Sequence, residues 1–109
     1  MFTITDKPTF THKVEVFVPT NGGHEKQDFK ATFAVLPSDR EGEYDLRTVQ
    51  GSNDFLRAIV LSVDDVAGGD GKALPYSDDL RDRLIALPFV RTALTRTYFT
   101  AVQKAAEGN

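Results

Sequence analysis

The residues with chemical potential are few, and their spacing argues against a reaction centre. His12 and His24 are the only histidines and there is no cysteine. Thiolate metal sites, disulfides and cysteine nucleophiles are therefore excluded. The histidine spacing fits no zinc motif, so one reads as a strand-edge histidine and the other as a loop histidine. The serines at 38, 52, 62 and 77 stand in no Gly-x-Ser-x-Gly elbow, and Ser38 and Ser77 are placed as helix caps.

Asp64, Asp65, Asp70 and Gly71 suggest a calcium loop. That loop needs oxygen ligands at alternate positions before its glycine, and Val66 and Gly68 occupy them here. Gly68-Gly69-Asp70-Gly71-Lys72 resembles the end of a phosphate-binding loop. It has Val66 where the first glycine belongs and Ala73 where a hydroxyl should hold magnesium. Asp78-Asp79 follows a capping serine, and a helix start accounts for the pair without general acid–base work. The expectation is a protein that is not an enzyme and has no cofactor or metal.

Composition narrows the class further. A length of 109 residues predicts a single domain, 1–109, with one modest core. The net charge is −3, without the basic excess of a nucleic-acid binder. Met1–Phe55 carries 6 basic and 9 acidic side chains, and the remainder carries 7 of each. No apolar run is long enough to cross a bilayer, and the start lacks a basic, apolar leader. A soluble intracellular protein, binding neither nucleic acid nor membrane, is expected.

The elements that must position any site follow from periodicity. Val14, Val16 and Val18 alternate with Glu15 and Phe17, which predicts a strand over 13–18 that Pro19 ends. A second strand over 28–36 puts Phe29, Ala31, Phe33 and Val35 on one face. Between them, Pro19 to Gln27 reads as a long polar loop around the Asn21-Gly22-Gly23 turn. Phe2 and Ile4 form a third short strand or an arm.

Ser38 and Glu41 make a capping box for a polar helix from about Asp39 to Thr48. Gly51-Ser52-Asn53 breaks it, and a second helix follows from Asn53 to Ser62. Val66 and Leu74 flank the Gly-rich turn as a small hairpin. A third helix follows Ser77, with Leu80, Leu84 and Leu87 as its buried stripe. A fourth runs from Pro88 to about Ala106, ending at Gly108. The fold class is α+β: an N-terminal β-hairpin (1–37), then a small bundle of about four helices (38–109).

The last helix is apolar over a wide arc, with Val90, Ala93, Leu94, Thr97, Ala101 and Ala105 widened by Phe89, Tyr98, Phe99 and Val102. Two roles fit that arc: a central helix packed on both sides, or a protein-binding surface with aromatic anchors.

The order of segments carries a resemblance. Phe55-Leu56-Arg57-Ala58-Ile59-Val60-Leu61 leads into Val63-Asp64-Asp65-Val66. Asp70-Gly71-Lys72-Ala73-Leu74-Pro75-Tyr76-Ser77 follows, and then Leu80, Leu84, Leu87-Pro88-Phe89-Val90-Arg91 and Ala93-Leu94. With the opening Val-Glu-Val-Phe-Val-Pro and Phe29-Lys30-Ala31-Thr32-Phe33, this order resembles the small tail-assembly chaperones of long-tailed bacteriophages and prophages. It departs from them at Ser62-Val63, where an aromatic, often Trp, commonly stands.

The resemblance implies a chaperone in the cytoplasm of a bacterial host. It would bind the tape-measure protein and keep it soluble until tail-tube subunits polymerise. It further implies contact with the tail-tube protein and self-association. Leu94, Tyr98 and Phe99 are the expected protein-binding residues. The alternative is a structural tail or head–tail joining protein of a phage.

Overall fold

A computed structural model describes residues 1–104. The expected ends of the last helix at Ala106 and Gly108, and Ala105 of its stripe, lie outside the described residues. The architecture is α+β. A β-hairpin of β1 (Thr9–Thr20) and β2 (Gly23–Ala34) is followed by α1 (Ser38–Glu41) and α2 (Val49–Ile59). A third strand, β3 (Val60–Asp64), precedes α3 (Asp78–Ile85) and α4 (Pro88–Val102). The three strands form one antiparallel sheet in the order β1-β2-β3.

The hairpin is longer and tighter than the sequence predicts. Its pairing runs from Thr9↔Ala34 to Thr20↔Gly23, so the expected loop from Pro19 to Gln27 is strand on both sides of a two-residue turn. Gly22, at φ 81°, supplies the left-handed conformation that turn needs. Pro19 does not end β1. The closing Thr20↔Gly23 pair fixes which residues bond across the hairpin, and Pro19 falls in the set whose N–H would point away from β2. On an edge strand a missing N–H in that direction costs no ladder bond. Two of the outward carbonyls of β1 are covered: Arg96 Nη2 donates to Glu15 O at 2.9 Å, and His12 Nδ1 lies 2.8 Å from Lys13 O.

β3 takes the last three residues of the expected second helix, 60–62, and α2 begins earlier, at Val49. Val60 and Val63 are buried and pair with Phe33 and Ala31, while a bulge between Thr32 and Phe33 leaves Leu61 exposed. The part of the chain after residue 37 is therefore not purely helical. The polar helix expected over 39–48 is one turn, α1, closed at Gly42. Its capping box does not form; Thr48 caps α2 instead, its Oγ1 accepting from Gly51 N–H at 2.9 Å. Gly51 thus lies in the first turn of α2 and does not break it. Ser77 caps α3 as expected, accepting from Leu80 N–H at 3.0 Å, and Pro88 opens α4. The small hairpin around Gly68–Gly71 is a bridge between Ala67 and Ala73, with Leu74 N–H donating to Val66 O at 2.8 Å.

One core unites these elements. Val14, Val16, Phe29, Ala31 and Phe33 of the inner sheet face meet Phe55, Leu56 and Ile59 of α2, Leu80 and Ile85 of α3, and α4. Its densest part is aromatic. Tyr98 packs edge-on to Phe55 (5.4 Å between ring centroids) and against Phe33 (5.9 Å), and Phe99 stacks on Phe55 (5.6 Å).

The Tyr98 hydroxyl accepts the Leu36 N–H at 3.1 Å. This holds the chain leaving β2 against α4. Tyr98→Phe is expected to cost about 1 kcal/mol, because the Leu36 N–H loses its acceptor. Burial raises the Tyr98 pKa above its ordinary value of 10.0, against the lowering effect of the Leu36 N–H and with a further rise from the Glu41 charge. A raised folded-state pKa contributes stability that is complete below the unfolded value and is lost as pH climbs through the folded one. Denaturant titrations across the alkaline range should therefore show stability falling less steeply in Tyr98→Phe than in the wild type.

Candidate protein-binding surface

The polar groups singled out in the sequence are engaged locally and do not converge. His12 and His24 both stand in the hairpin, His12 opposite Ala31 and His24 opposite Pro19. Ser77 caps α3. Asp70 Oδ1 accepts the Lys72 N–H at 3.0 Å, closing the Gly-rich turn. Asp65 lies 3.7 Å from Lys30. Arg57 bridges Asp54 (3.1 Å) and Asp82 (3.3 Å), tying α2 to α3. At Asp82, partial burial raises the carboxyl pKa, but the hydrogen bonds and charges of Arg81 and Arg57 outweigh it and hold the group below its ordinary value. At Tyr76, burial first and the Asp78 hydrogen bond second raise the phenol pKa. Among the described residues, no group of three or more His, Asp or Glu could hold a metal ion.

Of the three residues expected to bind a partner, the structure removes two from the surface. Leu94 and Tyr98 are each 1% exposed; they face the sheet and α2, and touching a partner through them would require opening the domain. Phe99 is half-buried, its ring stacked on Phe55. The wide apolar arc of α4 is used by two packing partners, with β1 on one side and α2 and α3 on the other.

The apolar surface left open lies elsewhere. β3 covers β2 only from Lys30 to Phe33. At Asp65 the backbone turns left-handed, φ 62°, a conformation that Asp tolerates better than most residues, and the chain leaves the sheet. The outer part of the hairpin, Val14 to Phe29, therefore runs past the end of β3. Its inner face and the α3–α4 corner enclose an open groove of about 320 Å³. Val16, Val18 and Phe29 form one wall, and Leu84, Leu87 and Phe89 the other. Val66 and Ala67 close one end, and Gln27, Asp28 and Asp65 form a polar rim. A second groove of about 490 Å³ shares Val66, Ala67, Leu84 and Leu87 and continues the apolar strip under the Gly-rich turn.

Leu87, between the two grooves, is 42% exposed. The leucine spacing 80, 84, 87 predicts it in the buried stripe of α3. That helix ends at Ile85, which takes the buried position, and Leu87 becomes the N-cap of α4 at an outside corner. An apolar cleft with a polar rim offers anchoring pockets to the apolar side chains of another chain and excludes water around them. Neither the length of the hairpin nor the end of β3 is legible in the sequence, and the groove depends on both. The one available signal was Val16-x-Val18, an inward-facing pair with no later element assigned to cover it.

No helix among the described residues is long and apolar enough to cross a membrane. The chain matches no protein-family model, and neither the curated proteins nor the solved structures contain a significant match to it.

Proposed function

We propose that this chain is a phage or prophage tail-assembly chaperone that holds the tape-measure protein soluble in the host cytoplasm until the tail tube polymerises. The observation that carries the reading is the apolar groove between the hairpin and the α3–α4 corner. A holding chaperone needs an open apolar surface that covers segments of its client and then releases them. The groove is small enough to seat only a few side chains at a time, which favours moderate affinity and many copies along one long client. A helix laid across it would present anchors at i, i+3 or i+4, and i+7 to the strip that runs past Leu87. The order of segments that resembles such chaperones supports the same reading. Contact with the tail-tube protein belongs to this proposal as the event that displaces the chaperone.

Co-expression with the tape-measure protein of the same genome tests it. The client is expected to remain in the soluble fraction and to co-purify with several copies of this chain. Leu87→Lys should lower capture by an order of magnitude or more, while costing no more than about 0.5 kcal/mol of stability, as exposed positions do. An insoluble client with nothing co-purifying would overturn the proposal. Recovery of this chain in finished virions would replace it with the structural tail or joining protein.

A further inference from the structure

We propose that the segment before β1, supplied by a second copy of this chain, adds as a strand to the open edge of β2 and fills the groove beside it. The pairing register carries the argument. Residues of β2 at odd positions bond to β1, so His24, Lys26 and Asp28 turn their N–H and C=O groups to the other side. Further along, Lys30 and Thr32 meet β3 there, but β3 stops at Asp64. Among the described residues, nothing bonds the backbone of His24, Lys26 or Asp28 on that side. Such an edge is a template for another strand. Here it borders the apolar groove, because Asp28 of the edge lines that groove beside Gln27 and Phe29.

The occupant must be an extended segment with apolar side chains at alternate positions. Phe2-Thr3-Ile4-Thr5 fits, being composed wholly of residues favoured in strands. Phe2 and Ile4 share one face and are 88% and 84% exposed, so neither is used by its own domain. Charge agrees: among the described residues Asp28 on the groove rim has no ion-pair partner, and neither does Lys7 beside the arm.

The chain cannot lay its own arm along this edge. Pro8 O accepts the Val35 N–H at 3.0 Å, which fixes the arm at the end of the hairpin opposite its turn. Ile4 lies five residues and Phe2 seven residues before Thr9, reaches of at most about 18 Å and about 25 Å after the chain has reversed direction. Asp28 stands opposite Glu15, six residues into β1 from Thr9, about 20 Å along the strand. Phe2 could at most touch this near end; Lys26 and His24, opposite Phe17 and Pro19, lie about 26 Å and about 33 Å along, beyond both residues. A second copy has no such limit.

The proposal rests on the groove being a docking face, as in the function proposed above, but not on the identity of the client. A chain that self-associates yet captures no tape-measure protein overturns that function alone, and one that captures its client yet stays monomeric overturns this inference alone. Light scattering on the purified chain by itself, over roughly a hundredfold range of concentration, is the first measurement. The mean mass should rise from the 12.1 kDa monomer to at least about twice that value. The double variant Phe2→Ser/Ile4→Ser should remain monomeric throughout with an unchanged urea midpoint. A wild type that stays monomeric, or a double variant that associates like the wild type, overturns the proposal. Because the chain has no cysteine, mixing differently tagged Ile4→Cys and Leu87→Cys copies under oxidation reports that contact alone. A disulfide joining the two tags is expected, and its absence would equally overturn the proposal.

Discussion

Replacing Phe55 by alanine is expected to remove about 3–5 kcal/mol of stability, the usual cost of deleting a buried phenyl ring and leaving a cavity. Phe55 is fully buried on α2, and its ring is the hub of the aromatic cluster. Tyr98 and Tyr44 meet it edge-on at 5.4 and 5.7 Å, and Phe99 stacks on it at 5.6 Å. Those rings belong to α4 and to the segment after α1, so the cavity would loosen three parts of the chain together. Small domains have about 5–15 kcal/mol in total, and a loss of this size would bring the variant close to its unfolding midpoint without denaturant. Urea titration should show the midpoint falling steeply with an unchanged slope. Leu61→Ala, at an exposed position beside the bulge, is the control and should change stability by no more than about 0.5 kcal/mol. An equal effect of the two substitutions would mean that the aromatic cluster is not the centre of the core.

The same cluster explains why the sequence suggested a binding surface on α4. Leu94, Tyr98 and Phe99 mark a helix that is apolar over more than one face, and periodicity cannot say whether the extra face meets solvent, a partner or a second layer of the same domain. The answer depends on where β1 and α2 lie, which is set by contacts distant in sequence. Tyr98 is decisive. Its hydroxyl, the one feature suited to a surface, is consumed by the Leu36 N–H, a bond between residues 62 positions apart.

Where local signals were strong, the elements are as expected. The alternation Val14-Val16-Val18, the Asn21-Gly22 turn, the Ser77 cap and Pro88 at the start of α4 each act within a few residues. The misreadings occur where local and distant preferences compete. Val60-Leu61-Ser62-Val63 is a short apolar run, which periodicity cannot assign to helix or strand. It becomes β3 because the edge of β2 from Lys30 to Phe33 offers unmet hydrogen bonds and because Val60 and Val63 are buried in that pairing. Pro19 and the polar residues from Gly23 to Gln27 resemble a loop, yet the hairpin continues through them as an exposed ribbon. The open groove follows from both misread features at once: β2 runs on past the place where β3 ends. The open groove was therefore hidden in the difference in length between two strands, a quantity that no motif encodes.

Gly51→Ala is the second substitution with a large expected effect, although it exchanges a poor helix former for the best one. Gly51 is the third residue of α2, where alanine alone would be worth up to about 1 kcal/mol in its favour. Tertiary structure opposes this. The chain between α1 and α2 folds back so that a Cβ at position 51 would collide with the Asp45 carbonyl oxygen, and would stand only 2.9 Å from Thr48 Oγ1. The obstructing atom is backbone, held by Thr48 N–H and Thr48 Oγ1 donating to Asp45 O at 3.2 and 3.0 Å, so it cannot rotate aside as a flexible side chain would. Relieving the clash requires breaking these bonds and the Thr48 cap on Gly51 N–H, or tilting α2 and with it Phe55. A net loss of about 1–3 kcal/mol is expected, typical of forced overpacking, and Gly51→Val should cost more. Amide hydrogen exchange would locate the damage, with protection falling first at Thr48, Gly51 and Ser52. If Gly51→Ala were instead more stable than the wild type, helix propensity would govern this position and the close approach of Asp45 would not be a constraint on the fold.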